Sequence, residues 1–221
     1  MDEKRKNIIF DFLSKLNLSV KDIDLINQAF LHSSYINEVD GCGECNEKLE
    51  FLGDSVLALI TVEYLYKQYP DKKEGELSRL KSILVSEATL SDFASEIDIA
   101  KLILLGKGEE LSGGLRRPSL LADAFEAFLG ALYLDMGIEQ LHILIMPMLN
   151  RALNKIKKDE HHYDFKTCFQ LYAQQKYKTI PTYFVLNENG PDHDKIFFVQ
   201  VSICGRIYGK GQGKSKKRAE Q

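Results

Sequence analysis

Apolar residues recur at helical spacing through the first two thirds of the chain and alternate as in strands through much of the last third. Residues 2–40 read as helices with short breaks, with Ile23, Ile26 and Ala29 on one stripe. Past Asn46 the pattern is nearly continuous: Ser55-Val56-Leu57-Ala58-Leu59-Ile60 is apolar on almost every side, which predicts a buried helix. Tyr69 to Glu76 is a turn, and Leu77 to Phe93 resumes helical periodicity. Residues 106–117 form a Gly-rich loop that Pro118 ends as it opens the next helix, Ser119 to Leu134. Apolar periodicity gives way to charge between Asn150 and Tyr163, where a linker is expected.

Beyond it the grammar changes. Asp164 to Tyr177 predicts a helix with Asp164 as N-cap and Phe165, Phe169, Tyr172 and Ala173 on its apolar side. Tyr183-Phe184-Val185-Leu186 and the alternating run Ile196 to Cys204 predict strands around an Asn189-Gly190-Pro191 turn. Ile207-Tyr208 predicts a short third strand, after which Gly209 to Ser215 leads as a Gly-rich loop into a final helix. The order is α-β-β-β-α, with little of the last helix remaining before Gln221.

Charge follows the same division. Residues 1–155 hold 17 Lys+Arg against 25 Asp+Glu, a balance of −8, whereas residues 156–221 hold 12 against 7, or +5. An acidic part able to hold divalent cations is thus joined to a basic part able to hold a polyanion. Four cysteines do not make a disulfide framework, and no apolar run reaches membrane-spanning length, so a cytoplasmic chain is expected. Cys42-x-x-Cys45 lacks the second close pair of a zinc knuckle and the setting of a redox motif, and reads as a loop.

The chemistry lies in acids placed on apolar helices. Glu47, Glu50 and Asp54 stand at i, i+3 and i+7, one face of a helix. Asp123 and Glu126 are the only charges of Ser119–Leu134, again on one face. Carboxylates on a buried face repel one another and resist desolvation unless a cation or a proton neutralises them. An all-oxygen set without His or Cys suits Mg²⁺ or Mn²⁺. A di-iron bundle would need two Glu-x-x-His pairs, and the chain has one, Glu139-x-x-His142, read as surface residues near a helix start. Glu74 reads as an acid at a helix start, and His32 as hydrogen-bonded near a helix end rather than as a ligand. Between Lys210 and Arg218 lie five basic residues and no acid. Gly213-Lys214-Ser215 lacks the upstream glycine of a nucleotide-binding P-loop, which leaves a basic helix start with Ser215 as cap, suited to phosphate.

Asn46-Glu47-Lys48-Leu49-Glu50-Phe51-Leu52-Gly53-Asp54 resembles the signature of bacterial ribonuclease III, with Lys48 where Arg is commoner. Asp123-x-x-Glu126 resembles its second acidic motif, and Glu74-Gly75 followed by Leu77-Ser78-Arg79 its intervening segment. Asp164-Phe-Lys-Thr, Pro181-Thr-Tyr183, Gly190-Pro-x-His193 and Gly211-x-Gly213-Lys-Ser-Lys-Lys-x-Ala219-Glu-Gln221 resemble a double-stranded-RNA-binding domain, though Leu171 stands where many such domains carry an acid.

The resemblance implies an all-α endonuclease domain over residues 1–153, a linker over 154–162 and an α-β-β-β-α double-stranded-RNA-binding domain, its last helix truncated, over 163–221. It implies a homodimer with Phe51 packing into the partner, and catalytic Mg²⁺, replaceable by Mn²⁺, held by Glu50, Asp54, Asp123 and Glu126. Asp54 and Glu126 would act in catalysis, with Glu47 and Glu74 assisting in metal hydration or strand positioning. Gln170, Gln174 and His193 would reach minor grooves, and Lys214, Lys216 and Lys217 the phosphates between them. In a two-metal hydrolysis one ion activates a water and the other stabilises the departing 3′ oxygen. The products implied are 5′-phosphate and 3′-hydroxyl ends, in processing of structured rRNA and mRNA precursors. The rival readings are a non-catalytic double-stranded-RNA-binding protein of the same fold and a metal hydrolase of small phosphoesters. All six acids of the motifs are present, and the basic segment is appended.

Overall fold

In chain order the helices of the computed structural model are α1 (Glu3–Lys15), α2 (Ile23–Gln28), α3 (Ser33–Ile36), α4 (Glu47–Gln68), α5 (Glu74–Leu84), α6 (Glu87–Glu96), α7 (Lys107–Leu111), α8 (Pro118–Met136) and α9 (Ile138–Asp159). Then come α10 (Phe165–Tyr177), the strands β1 (Thr182–Asn189), β2 (Ile196–Ile203) and β3 (Arg206–Gly213), and α11 (Lys216–Glu220). The structure describes residues 1–39, 43–159, 165–190 and 195–220. It divides into two compact units, Met1–Asn154 and Lys155–Gln221.

The first unit is built on α8, whose Ala-rich sequence lets neighbours approach on nearly every side. Phe128 of α8 meets Phe12 of α1 and Phe30 at ring-centroid distances of 5.4 and 5.6 Å, and Phe125 meets Phe93 of α6 at 5.8 Å. Such aromatic pairs bury large apolar areas in fixed geometries. α4 lies along α8 at backbone contact: a Cβ on Gly53 would sit 1.8 Å from the Glu126 carbonyl oxygen, and one on Gly130 would sit 2.1 Å from that of Leu49. Only glycine fits at both points of this reciprocal crossing. The Tyr64 hydroxyl donates to Asn150 Oδ1 at 2.5 Å and ties α9 to α4.

α4 departs from the expected all-round burial. Leu49, Val56, Leu57, Ile60 and Leu65 face the core, but Phe51, Leu59, Val62 and Tyr66 are exposed, Phe51 by 80%. Helical apolarity says what a face prefers, not that its own chain covers it. The expected helix Leu77–Phe93 is two helices, because Ser86 caps α6 by accepting the Thr89 N–H and so ends the run after α5. The expected loop 106–117 contains α7 and a 3-10 turn at Gly114–Arg116. Ser34 Oγ accepts the Gly106 N–H, Glu38 Oε2 accepts that of Lys107, and Gly113 alone of the segment's glycines needs a positive φ, of 80°.

In the second unit the strands pair antiparallel in the order β1-β2-β3, with Val185 opposite Val199 and Val201 opposite Gly209. Cys204 and Gly205, both at positive φ, make the tight β2–β3 turn. The glycines expected as a loop, Gly209, Gly211 and Gly213, all lie within β3. Gly211 pairs with Val199, and a Cβ there would sit 2.3 Å from the Ala219 carbonyl, so its bareness lets α11 lie directly on the strand. Asp164 lies outside the described residues, as do Cys42 and the histidine pair His161-His162.

Candidate metal centre and nucleic-acid interface

The start of α4 is fixed from behind. Asn46 is buried, and its N–H donates to the Leu31 carbonyl at 2.9 Å. Leu31 in turn bridges Leu104 in parallel. From that anchor, at about 100° per residue, Glu47, Glu50 and Asp54 fan over roughly 60° of the helix surface. Gly53 seats this arc against Glu126, one turn along from Asp123 on α8. The crossing thereby converts two acidic stripes into one cluster.

Carboxylate oxygens of Glu50, Asp123 and Glu126 lie within 4.8 Å of one another, all three side chains half-buried. Asp54 and Glu47 are exposed at the edge of this triangle rather than sharing a buried face with it, as the sequence led one to expect. Burial pushes the Glu126 carboxyl up from an ordinary 4.5 to about 7, with the charges of Asp54, Glu50 and Asp123 adding to the rise. Burial also raises Glu50, helped by Asp123, Glu47 and Asp54. It raises Asp123 too, where the next cause is Glu87, against which His32 works. Among the described residues no Lys or Arg pairs with any of the three. A half-buried, uncompensated set of hard oxygen donors fits a divalent cation of the Mg²⁺ type.

Glu74 opens α5 but is occupied locally: the Ser78 hydroxyl donates to its Oε1 at 2.7 Å, and it is not part of the triangle. Glu139 and His142 are not part of it either, and His142 Nε2 approaches Glu63 of α4 at 3.5 Å. Two residues near the cluster carried little sequence signal. Glu87, the first residue of α6, resembled any helix-start acid until α6 packed against α8. His32 caps α3 through Nδ1 and feels the charges of Arg117, Asp123 and Glu47.

The second unit presents its polar side chains separately. Gln170 is half-buried and Gln174 exposed on α10, and Lys214 and Lys216 are exposed where β3 passes into α11. Lys216 Nζ lies 3.6 Å from Glu188 and 5.7 Å over the Phe197 ring, an exposed pairing that costs little to open. His193 and the Lys217 side chain lie outside the described residues.

Residues 22–153 match the family described as Ribonuclease-III-like, and residues 165–221 match the double-stranded RNA binding motif. The chain is 42% identical over 221 residues to Ribonuclease 3 of Treponema denticola, covering 100% of this chain and 90% of that one. It is 45% identical to Ribonuclease 3 of Borreliella burgdorferi over 217 residues, covering 98% and 89%. Among solved structures it resembles the ribonuclease III nuclease domain of Campylobacter jejuni, described as flexible in a region involved in dimer formation. The TM-score is 0.59 at 34% identity, over 64% of this chain and 95% of that one.

Proposed function

The chain belongs to the ribonuclease III family and carries a double-stranded RNA binding motif, and on that premise we propose that it hydrolyses double-stranded RNA endonucleolytically at the acidic cluster of α4 and α8. The observation that carries the proposal is the triangle of Glu50, Asp123 and Glu126 within 4.8 Å. Mg²⁺ is the cofactor, Mn²⁺ an able substitute, with Glu50, Asp54, Asp123 and Glu126 holding it. A bound divalent ion supplies Lewis-acid stabilisation of charge on phosphorus and brings a water toward ionisation at neutral pH.

The residues do the rest. Without metal Glu126 titrates at about 7, so near neutral pH it gives up its proton readily to an incoming cation. Asp54 and Glu47, exposed at the edge, face the incoming strand and order water there. Glu74 assists in the same way once the strand is bound. Gln170, Gln174 and His193 read minor grooves by shape, and Lys214, Lys216 and Lys217 meet the phosphates between them. The products carry 5′-phosphate and 3′-hydroxyl ends with short 3′ overhangs, in the processing of structured RNA precursors such as rRNA and mRNA.

The active form is a homodimer. Phe51, Leu59, Val62 and Tyr66 occupy about 80° of α4 beside the arc of acids, an exposed apolar strip that a second copy would cover. Phe51 leads that contact and leaves the acids of both copies along one valley. Among the described residues no helix is long and apolar enough to cross a membrane, and the cytoplasm is the compartment in which such a duplex substrate is met.

Incubation of a long RNA duplex with the purified protein, with Mg²⁺ or with EDTA, tests the proposal. Mg²⁺-dependent shortening to 5′-phosphorylated products is the expected outcome, with Glu126→Gln binding the duplex but not cutting it. Retardation of the duplex without cleavage under any divalent ion would leave only a binding protein.

A further inference from the structure

Besides the bond that caps α3, the His32 ring makes a second contact that capping does not explain. Its Nδ1 accepts the Ser34 backbone N–H at 3.2 Å and lies 2.8 Å from Ser34 Oγ. That hydroxyl oxygen accepts the Gly106 N–H at 2.9 Å, which leaves its own proton for Nδ1. With two donors aimed at Nδ1, the imidazole carries its proton on Nε2. Among the described residues no acceptor takes that Nε2–H.

The ring is also held rigidly. Its backbone N–H donates to the Leu104 carbonyl at 3.2 Å, beside the Leu31–Leu104 bridge, and Leu31 accepts from Asn46 at the start of α4. One connected backbone network therefore sets both the imidazole and the first acids of the cluster. The ring is half-buried, and the charges acting on it come from Arg117, Asp123 and Glu47. Burial first and Arg117 second keep it neutral. An acidic cluster that must receive a polyanion needs hydrogen-bond donors on its rim, and a neutral N–H adds one without a charge to desolvate.

We propose that His32 is a substrate-contacting residue whose Nε2–H donates to a non-bridging oxygen of the RNA phosphodiester held at the acidic cluster. This rests on the nuclease reading above. The contact orients the phosphate against the carboxylates, and no proton transfer is asked of the ring.

His32→Asn separates contact from cap, because asparagine is itself a strong N-cap but does not reach as far. The melting temperature and the Mn²⁺ affinity by titration calorimetry should match those of the parent protein. Single-turnover cleavage should fall about tenfold. Sulfur at one non-bridging oxygen of the scissile phosphate should slow the parent protein even in Mn²⁺, and should no longer slow the Asn variant. Parent-like cleavage by the variant overturns the proposal. So does a sulfur effect of equal size in both proteins, or a loss that follows a lowered melting temperature or metal affinity. Failure of the parent protein itself to cut the duplex would strike the nuclease reading instead.

Discussion

Gly53→Ala places a methyl carbon 1.8 Å from the carbonyl oxygen of Glu126, where ordinary contact begins near 3.4 Å. The opposing atom is helix backbone and cannot swing aside. To restore contact, α4 and α8 must part by about 1.6 Å along that line, an overpacking whose typical cost is about 1–3 kcal/mol. For a unit of this size that lowers the melting temperature by about 2–10 °C. The same parting spreads carboxylates that now lie within 4.8 Å, so Mn²⁺ binding weakens. Misplacement of about 1 Å at a reacting centre costs roughly 100-fold in rate. The matched control is Gly75→Ala on α5, where an added Cβ meets nothing within 4 Å. Alanine is there the better helix former by about 1 kcal/mol, so stability should hold or rise. Thermal melts and Mn²⁺ calorimetry on the two variants decide the matter. If Gly53→Ala melts and binds Mn²⁺ like Gly75→Ala, the backbone crossing does not hold the site.

Glu126 titrates at about 7, above its ordinary 4.5, so the folded chain holds that proton more tightly than the unfolded one. Its contribution to stability is complete below the ordinary value and is lost as pH rises through about 7. Without metal, Glu126→Gln should therefore gain in melting temperature over the parent as pH rises through neutrality, and a gap that does not change with pH would contradict the raised pKa. Mg²⁺ binding near pH 7 should release protons, seen as an apparent enthalpy that varies with the buffer's ionisation heat; no variation would mean the acids are already ionised. Phe51→Glu should shift the protein to monomer by sedimentation velocity and depress cleavage, while an intact dimer would place the interface elsewhere. Lys214→Ala should lower the salt slope of duplex binding by about 1, and an unchanged slope would remove that lysine from the phosphate contacts.

The acids were legible because they interrupt helices that otherwise have no reason to carry charge: Asp123 and Glu126 stand alone in an apolar Ala-rich run. A shared metal set was expected of both helices, but the means of their convergence was not legible, because it depends on Gly53 and Gly130, residues that helix propensity counts only as weaknesses. The break between α5 and α6 was hidden for a related reason, since apolar spacing continues through Val85 while a single Ser86 hydroxyl ends the ladder. Gly209, Gly211 and Gly213 looked like a loop by composition and instead lie in β3, where Gly211 clears room for α11. Periodicity also could not say that one apolar side of α4 lies against α8 while the other is bare. Glu87 and His32 became visible only once packing had brought distant segments beside Asp123.

The crossing of α4 and α8 also sets a schedule for synthesis. Residues 47–54 leave the ribosome well before residues 123–130, and at roughly 5–20 residues per second the interval is on the order of ten seconds or less. Throughout it Val56, Leu57, Ile60 and Leu65 have no α8 to cover them. The carboxylates cannot converge until α8 arrives and closes that surface. An unfinished chain therefore lacks the acidic cluster however much of α4 it has made.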